Sequence, residues 1–180
     1  LTFGYGEKPL YSGVNFRISK GQKVGLVGPN GSGKSTILSI IRGEEHGYTG
    51  KVKLEGSISL VPQEIKHDAV MEASKTVRSY VDPVNLFADY EIHKMFKGLE
   101  LNVTLEHDPR TLSGGQKTKL ALARALFQNP DILMLDEPTN FMDIGGKKWV
   151  MRFLSEYQGA VIVISHDLEL MDTAIDKILA

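Results

Sequence analysis

The run Lys23-Val-Gly-Leu-Val-Gly28-Pro-Asn-Gly-Ser-Gly-Lys34-Ser-Thr-Ile-Leu-Ser-Ile-Ile-Arg42 decides the fold. Lys23–Val27 is short and mostly apolar and follows a Lys20-Gly21 turn, which is the pattern of a buried strand. Ser35–Arg42 repeats apolar residues at Ile37, Leu38, Ile40 and Ile41, which is helical spacing, and Gly43 supplies a stop. Between the two, Gly28–Ser35 matches G-x-x-x-x-G-K-[ST] at every fixed position. With Gly at ~7% of residues, a chance match in a chain this long is roughly a one-in-a-few-hundred event. The strand–loop–helix setting makes it rarer still.

The residue types explain the chemistry of such a loop. Glycines let the backbone curl so that several N–H groups point at one anion. The helix that follows adds its positive dipole end. Lys34 reaches the β- and γ-phosphate oxygens as a point charge, and Ser35 offers a hydroxyl ligand to Mg²⁺. Gly28, Asn30, Gly31, Ser32, Gly33, Lys34, Ser35 and Thr36 are therefore the candidate nucleotide-binding residues, with ATP and Mg²⁺ as the expected cofactors.

A second motif lies about 100 residues on. Ile132-Leu-Met-Leu-Asp-Glu137 is an apolar run that ends in two carboxylates. A buried strand of this kind delivers Asp136 to the carboxyl edge of a parallel sheet, where ligands bind. Asp136 suits the Mg²⁺ shell, and Glu137 is placed to orient or deprotonate an attacking water. Alone, the run reads more readily as a strand entering a polar loop; the phosphate loop upstream turns the reading to the functional one.

The rest of the chain alternates strands and helices. Val14–Ile18, Lys51–Glu55, Ser57–Val61, Asp131–Leu135 and Ala160–Ile164 read as strands, the second and third as a hairpin about Gly56. Val70–Val81, Asn85–Leu99, Lys117–Phe127, Lys147–Glu156 and Leu168–Ala174 read as helices, with Asp82-Pro83 as a breaker. Phe87, Tyr90, Met95, Phe96 and Leu99 form an apolar face that serves core packing, and Lys117 and Lys119 read as a solvated face. The expected fold is α/β: a P-loop NTPase core with a mostly parallel sheet, a small antiparallel β region, and a helical insertion over residues 64–112.

Composition narrows the class. A net charge of −1 gives no overall basic excess toward nucleic acid or anionic lipid. The absence of cysteine excludes a disulfide scaffold and a Cys-based zinc site. It agrees with a reducing compartment, and a cytoplasmic location is expected. No apolar run approaches the ~18–20 residues needed to span a bilayer, so no direct membrane insertion is expected. Leu1 is not a natural start, and both ends read as cut strands. Residues 1–180 are thus expected to be one nucleotide-binding domain taken from a longer chain.

Between the two motifs stands Leu112-Ser-Gly-Gly-Gln116, directly before an Ala-rich helix. Here the chain resembles the ATP-binding cassette family, whose signature motif these residues match. The remaining motifs follow in family order. Gln63 in Val61-Pro-Gln-Glu64 resembles the Q-loop, Asn140-Phe-Met-Asp143 the D-loop, and His166 in Ile164-Ser-His-Asp167 the switch histidine. Tyr5 sits where the family places an adenine-stacking aromatic, although Phe3 and Phe16 beside it are equally suited to packing.

The resemblance implies an ATPase in which Ser113, Gly114, Gly115 and Gln116 contact the γ-phosphate of ATP held by a partner domain. Two ATPs are then sandwiched in a head-to-tail pair, made either with a second cassette in cis or as a homodimer. Gln63 is expected at Mg²⁺ or the attacking water. His166 is expected at the γ-phosphate, orienting Glu137, and Asp143 couples the two sites.

Asn140-Phe-Met-Asp143 and Lys20–Gly28 are most similar to the F subfamily, whose members carry two cassettes, lack membrane domains and act on ribosomes. Phe141 and Met142 depart from the His-Leu of that subfamily. A ribosome-associated translation factor is therefore expected. The alternatives are the motor subunit that serves transmembrane transporter subunits, and a nucleotide-gated clamp, which Glu137 argues against.

Overall fold

The computed structural model describes residues 3–5, 8–140 and 142–179, with side chains described from residue 12 onward. Strands β1 (Phe3–Tyr5) and β2 (Lys8–Tyr11) form a small antiparallel pair. Strands β3 (Lys23–Leu26), β4 (Ile58–Val61), β5 (Ile132–Asp136), β6 (Ala160–Ile164) and β7 (Lys177–Leu179) form one sheet. Its order is β4-β5-β6-β3-β7, and every neighbouring pair is parallel. The helices are α1 (Lys34–Arg42), α2 (Ala69–Ala73), α3 (Val77–Val81), α4 (Asp89–Gly98), α5 (Gly114–Gln128), α6 (Ile144–Glu156) and α7 (Leu168–Ala174).

A parallel sheet needs cover on both faces, so its central strands are apolar at every position rather than at alternate ones. All five residues of β6 are buried. On one face, Leu133, Leu135, Val161 and Val163 join Leu120, Leu122, Leu154, Leu170 and other residues of α5, α6 and α7. On the other, Met134, Ile162 and Ile164 join Leu26 with Ile37 and Leu38 of α1. Gly25 lets α7 come close, because a Cβ there would lie 2.5 Å from Met171 Sδ.

Register then fixes the working edge. Leu26 and Asp136 both pair with Ile164, and Val61 pairs with Leu135. The segments after β3, β4, β5 and β6 therefore leave the sheet side by side. They carry the glycine-rich loop, Gln63, Glu137 and His166, and Asp136 is the last residue of β5.

Several sequence expectations are corrected. Val14–Ile18 and Lys51–Glu55 turn Val14, Phe16, Ile18, Val52 and Leu54 inward, but neither belongs to a described strand. No hairpin forms about Gly56. Asp131 instead accepts from Ser57 N–H (2.8 Å) and Oγ (3.0 Å), which starts β4 parallel to β5.

The helix expected over 70–81 is two. Ser74 Oγ bonds back to the Val70 carbonyl at 2.7 Å, and Thr76 opens α3 with a Thr76–Ser79 capping box. The helix expected from Asn85 begins at Asp89, because the buried Asp82 carboxylate takes the N–H groups of Leu86 and Phe87, each at 2.9 Å. Tyr90 is 72% exposed and leaves the apolar face to Ile92, Phe96 and Leu99. Lys119 is not solvated: its side chain is 13% exposed and lies against Glu100.

Met134 is fully buried in the sheet centre. Met134→Ala is expected to destabilise the domain by roughly 2–5 kcal/mol, measured by urea denaturation with an unchanged m-value.

Candidate functional site at the carboxyl edge of the sheet

The loop after β3 curls through glycines. Gly28, Gly31 and Gly33 have φ of 155°, 79° and 87°, and Gly33 is the N-cap of α1. Other residues enter this region at a cost, so the motif's glycines are backbone requirements. Ser32 N–H bonds to the Pro29 carbonyl at 3.2 Å. The Lys34 ammonium folds over the loop and donates to the carbonyls of Gly28 (2.7 Å) and Pro29 (2.9 Å), which holds a positive charge where the first turn of α1 presents its N–H groups. Asn30 and Gly31 are exposed at the loop tip, and Thr36 lies on the first turn of α1.

Ser35, next to Lys34, donates through Oγ to Asp136 Oδ2 at 2.8 Å. An octahedral Mg²⁺ with ligands at 2.0–2.1 Å places neighbouring oxygens about 2.9 Å apart. The Ser35–Asp136 pair therefore fits such an ion as two adjacent oxygens of its shell. Among the described residues, no group of three or more His, Cys, Asp or Glu gathers as a metal cage.

Glu137 is 7% exposed and has φ of 49°, unusual for a residue with a side chain. Its N–H bonds to the Ile164 carbonyl at 2.8 Å, which extends the β5–β6 ladder by one rung and fixes the turn. The carboxylate accepts from His166 N–H at 3.3 Å, and His166 Nε2 lies 3.5 Å from Glu137 Oε1. The imidazole is 60% exposed, so it reaches from solvent onto a buried acid. Ser35, Asp136, Glu137 and His166, spread over more than 130 residues of sequence, thus meet at one edge.

No described hydrogen bond ties the other predicted site residues to this group. Gln63 is exposed, and its carbonyl is 3.5 Å from Thr118 Oγ1 on α5. Ser113 and Gln116 cap α5 reciprocally, with Ser113 N–H on Gln116 Oε1 at 3.0 Å and Gln116 N–H on Ser113 Oγ at 3.3 Å. Gly114 and Gly115 form the first turn of α5. No described hydrogen bond joins Ser113–Gln116 to the loop after β3. Asp143 N-caps α6 through Gly145 and Gly146 N–H, at 2.7 and 3.1 Å. Bonding with Glu100 and to those amides holds its carboxyl below the ordinary range. Tyr5 lies in β1, but its side chain, like the whole of Phe141, lies outside the described residues.

Sequence reasoning missed Glu100, Lys147 and Asp167. Asp167 N-caps α7 and receives Lys147 Nζ at 3.0 Å and Thr139 Oγ1 at 3.4 Å. Partial burial works against its charge, but the Lys147 and Leu170 hydrogen bonds outweigh it and lower its pKa. The cap was legible as an Asp before a helical run. The Lys147 and Glu100 contacts are long-range and leave no local trace.

A parallel α/β sheet with a glycine-rich loop at its carboxyl edge defines the P-loop nucleotide-binding class. Within it, residues 11–140 match the family model described as ABC transporter, and the chain belongs to that ATP-binding cassette family. The zinc import ATP-binding protein ZnuC of Wigglesworthia glossinidia brevipalpis is 33% identical, over 97% of this chain and 77% of that protein. ABC transporter F family member 2 of Arabidopsis thaliana is 34% identical, over 99% of this chain and 27% of that protein. A chain in the crystal structure of archaeal ribosomal stalk protein aP1 with archaeal ribosome recycling factor aABCE1 superimposes with a TM-score of 0.78. Its identity is 28%, over 99% of this chain and 35% of that one. The chain spans less than half the length of several curated relatives it matches. Among the described residues, no helix is long and apolar enough to cross a membrane.

The segment before α5 enters through Asp108, whose carboxyl the Arg110 side chain lowers from 3.8 to about 2. A depressed folded-state pKa gives stabilisation that is complete above the ordinary value and lost as pH falls through about 2. Asp108→Asn is expected to be less stable than the parent at neutral pH, with the gap closing in acid, as read by denaturant titration across pH. A gap that does not change with pH contradicts the assignment.

Proposed function

We propose that this domain binds MgATP on the loop at Gly28–Thr36 and hydrolyses it as half of a head-to-tail pair of cassettes, in a protein that acts on ribosomes. The observation that carries the ATPase half is the meeting of Ser35, Asp136, Glu137 and His166 at one sheet edge. In this reading the loop amides and Lys34 hold the phosphates. Ser35, Asp136 and Gln63 would hold Mg²⁺, which when bound neutralises charge on the phosphate oxygens. Glu137, buried and gripped by His166, orients the attacking water and takes its proton, and His166 holds the acid in place. Residues 64–112 act as a helical subdomain that carries the signature segment.

The pairing is supported by the exposure of Ser113 and Gly114 and by the mutual cap of Ser113 and Gln116, which are joined to the loop by no described hydrogen bond. The exposed amino end of α5 offers N–H groups to an anion, and a second domain supplies that anion most simply. The ribosomal half rests on the Asn140–Asp143 segment, on likeness to F family members, and on the aABCE1 complex. A second reading, the motor of a membrane transporter, is favoured by the comparable identity to ZnuC.

Glu137→Gln in the full-length protein separates the two. It is expected to keep ATP binding, to lose turnover by at least about 10²-fold, and to sediment with ribosomes only when ATP is present. Recovery in the membrane fraction with no ribosome association contradicts the ribosomal reading and favours the transporter. Normal turnover contradicts the role given to Glu137.

A further inference from the structure

Two features of α6 stand out against the rest of the domain. Its first turn is Ile144-Gly-Gly, although glycine costs a helix about 1 kcal/mol relative to alanine. Both glycines face Glu100: a Cβ on Gly146 would lie 2.8 Å from Glu100 Oε2, and one on Gly145 3.2 Å from Glu100 Oε1. Glu100 is itself in the left-handed region, with φ of 56°, just past α4. From there it accepts Gly146 N–H at 2.9 Å and Asp143 N–H at 3.3 Å. It caps α6 from the turn that follows α4, beside α6's own cap Asp143. Gly98, two residues earlier, is pressed against the Trp149 indole with no room for a Cβ, which seats the end of α4 on α6.

Glu100 also meets α5. Lys119 Nζ lies 3.4 Å from its carbonyl and 3.9 Å from its carboxylate, with the lysine largely buried. Lys119 is six residues past Ser113, on the same helix that Ser113 opens. On the far side, Lys147, one residue after Gly146, pairs with Asp167 at 3.0 Å. Asp167 also receives Thr139 Oγ1, two residues after Glu137, and directly follows His166, which touches Glu137. These contacts, joined by the chain neighbours Gly146-Lys147 and His166-Asp167, run from α5 to the buried acid.

We infer that this series, Lys119–Glu100–amino end of α6–Lys147–Asp167–His166, is a relay that ties the position of the Ser113–Gln116 segment to the geometry of Glu137. It rests on the proposed function, in which Ser113–Gln116 meets nucleotide and Glu137 acts in turnover. Docking of an anion at the amino end of α5 shifts or steadies that helix. Lys119 and Glu100 pass the shift to α6, and the Lys147–Asp167 pair passes it to the loop that sets His166 against Glu137. Glu100 and Lys147 belong neither to the phosphate loop nor to the group of Ser35, Asp136, Glu137 and His166, so they act as positioning residues. A connected set of contacts becomes a coupling pathway only when its members prove energetically linked, so a double-mutant cycle is the appropriate test.

The test uses steady-state ATPase of the full-length protein carrying Glu100→Ala, Lys147→Met, or both. Each single change is expected to lower kcat by roughly 2- to 30-fold with KM for ATP unchanged, because the phosphate loop is untouched. The double variant is expected to lose little more than the worse single one. Glu100→Gln, which keeps an oxygen for Gly146 N–H, should recover part of the loss, and it replaces Glu100→Ala in the cycle should that variant fail to fold. Unchanged kcat in both singles, or a double loss equal to the product of the singles within about a factor of two, overturns the relay.

Gly114→Asp tests the underlying reading separately. A Cβ there meets nothing within 4 Å, and an acidic residue suits a helix amino end, so the change spares the fold while repelling phosphate. Loss of turnover in Gly114→Asp with no Glu100–Lys147 coupling defeats the relay alone. Full turnover in Gly114→Asp defeats the proposed function and the relay with it.

Discussion

The hydrogen bond from Ser35 Oγ to Asp136 Oδ2, 2.8 Å long and spanning 101 residues of sequence, is the contact on which the site depends. Ser35 is on the first turn of α1, which can start there only because Gly33 accepts a left-handed backbone. Asp136 ends β5, whose depth in the sheet is set by pairing with β4 and β6. The bond is therefore short only if the loop, the helix and the strand register are all correct. A one-residue slip of β5 would turn Asp136 to the opposite face and put Leu135 or the longer Glu137 in its place.

The same edge places Glu137. A buried acid on a left-handed backbone is costly in isolation, on the order of 1–3 kcal/mol for the backbone alone. Here the Ile164 carbonyl and the His166 N–H both hold it. Strain of this kind persists where the surroundings over-determine a position, and these two bonds keep Glu137 from relaxing out of it. Both holding groups belong to the end of β6 or the segment just after it, so the acid and its partner move together.

The core α/β architecture was legible because periodicity and glycine placement are local signals. Lys23–Val27, Ala160–Ile164 and Leu168–Ala174 were located closely for that reason, as were the Gly43 stop and the two motifs at Gly28–Ser35 and Asp136-Glu137. Local reading failed where a distant side chain set the outcome. The expected hairpin at Gly56 lost to Asp131, which is 74 residues from Ser57. The helix expected from Asn85 lost its first turn to the buried Asp82 carboxylate. Lys119 read as solvated because nothing near it in sequence announces Glu100. Ser113 and Gln116 were legible as a motif, while their present partners are each other.

Ser35 and Asp136 are proposed to form one cation edge beside the phosphate loop. ATP-induced thermal stabilisation, compared with and without Mg²⁺ in the parent and in Ser35→Ala and Asp136→Asn, tests this directly. The parent is expected to gain a further rise in Tm when Mg²⁺ accompanies ATP, since a ligand bound only by the folded state stabilises it by mass action. Both variants are expected to lose that further rise while retaining stabilisation by ATP alone. A Mg²⁺-dependent rise that survives intact in both variants would place the ion elsewhere and contradict the assignment of this edge.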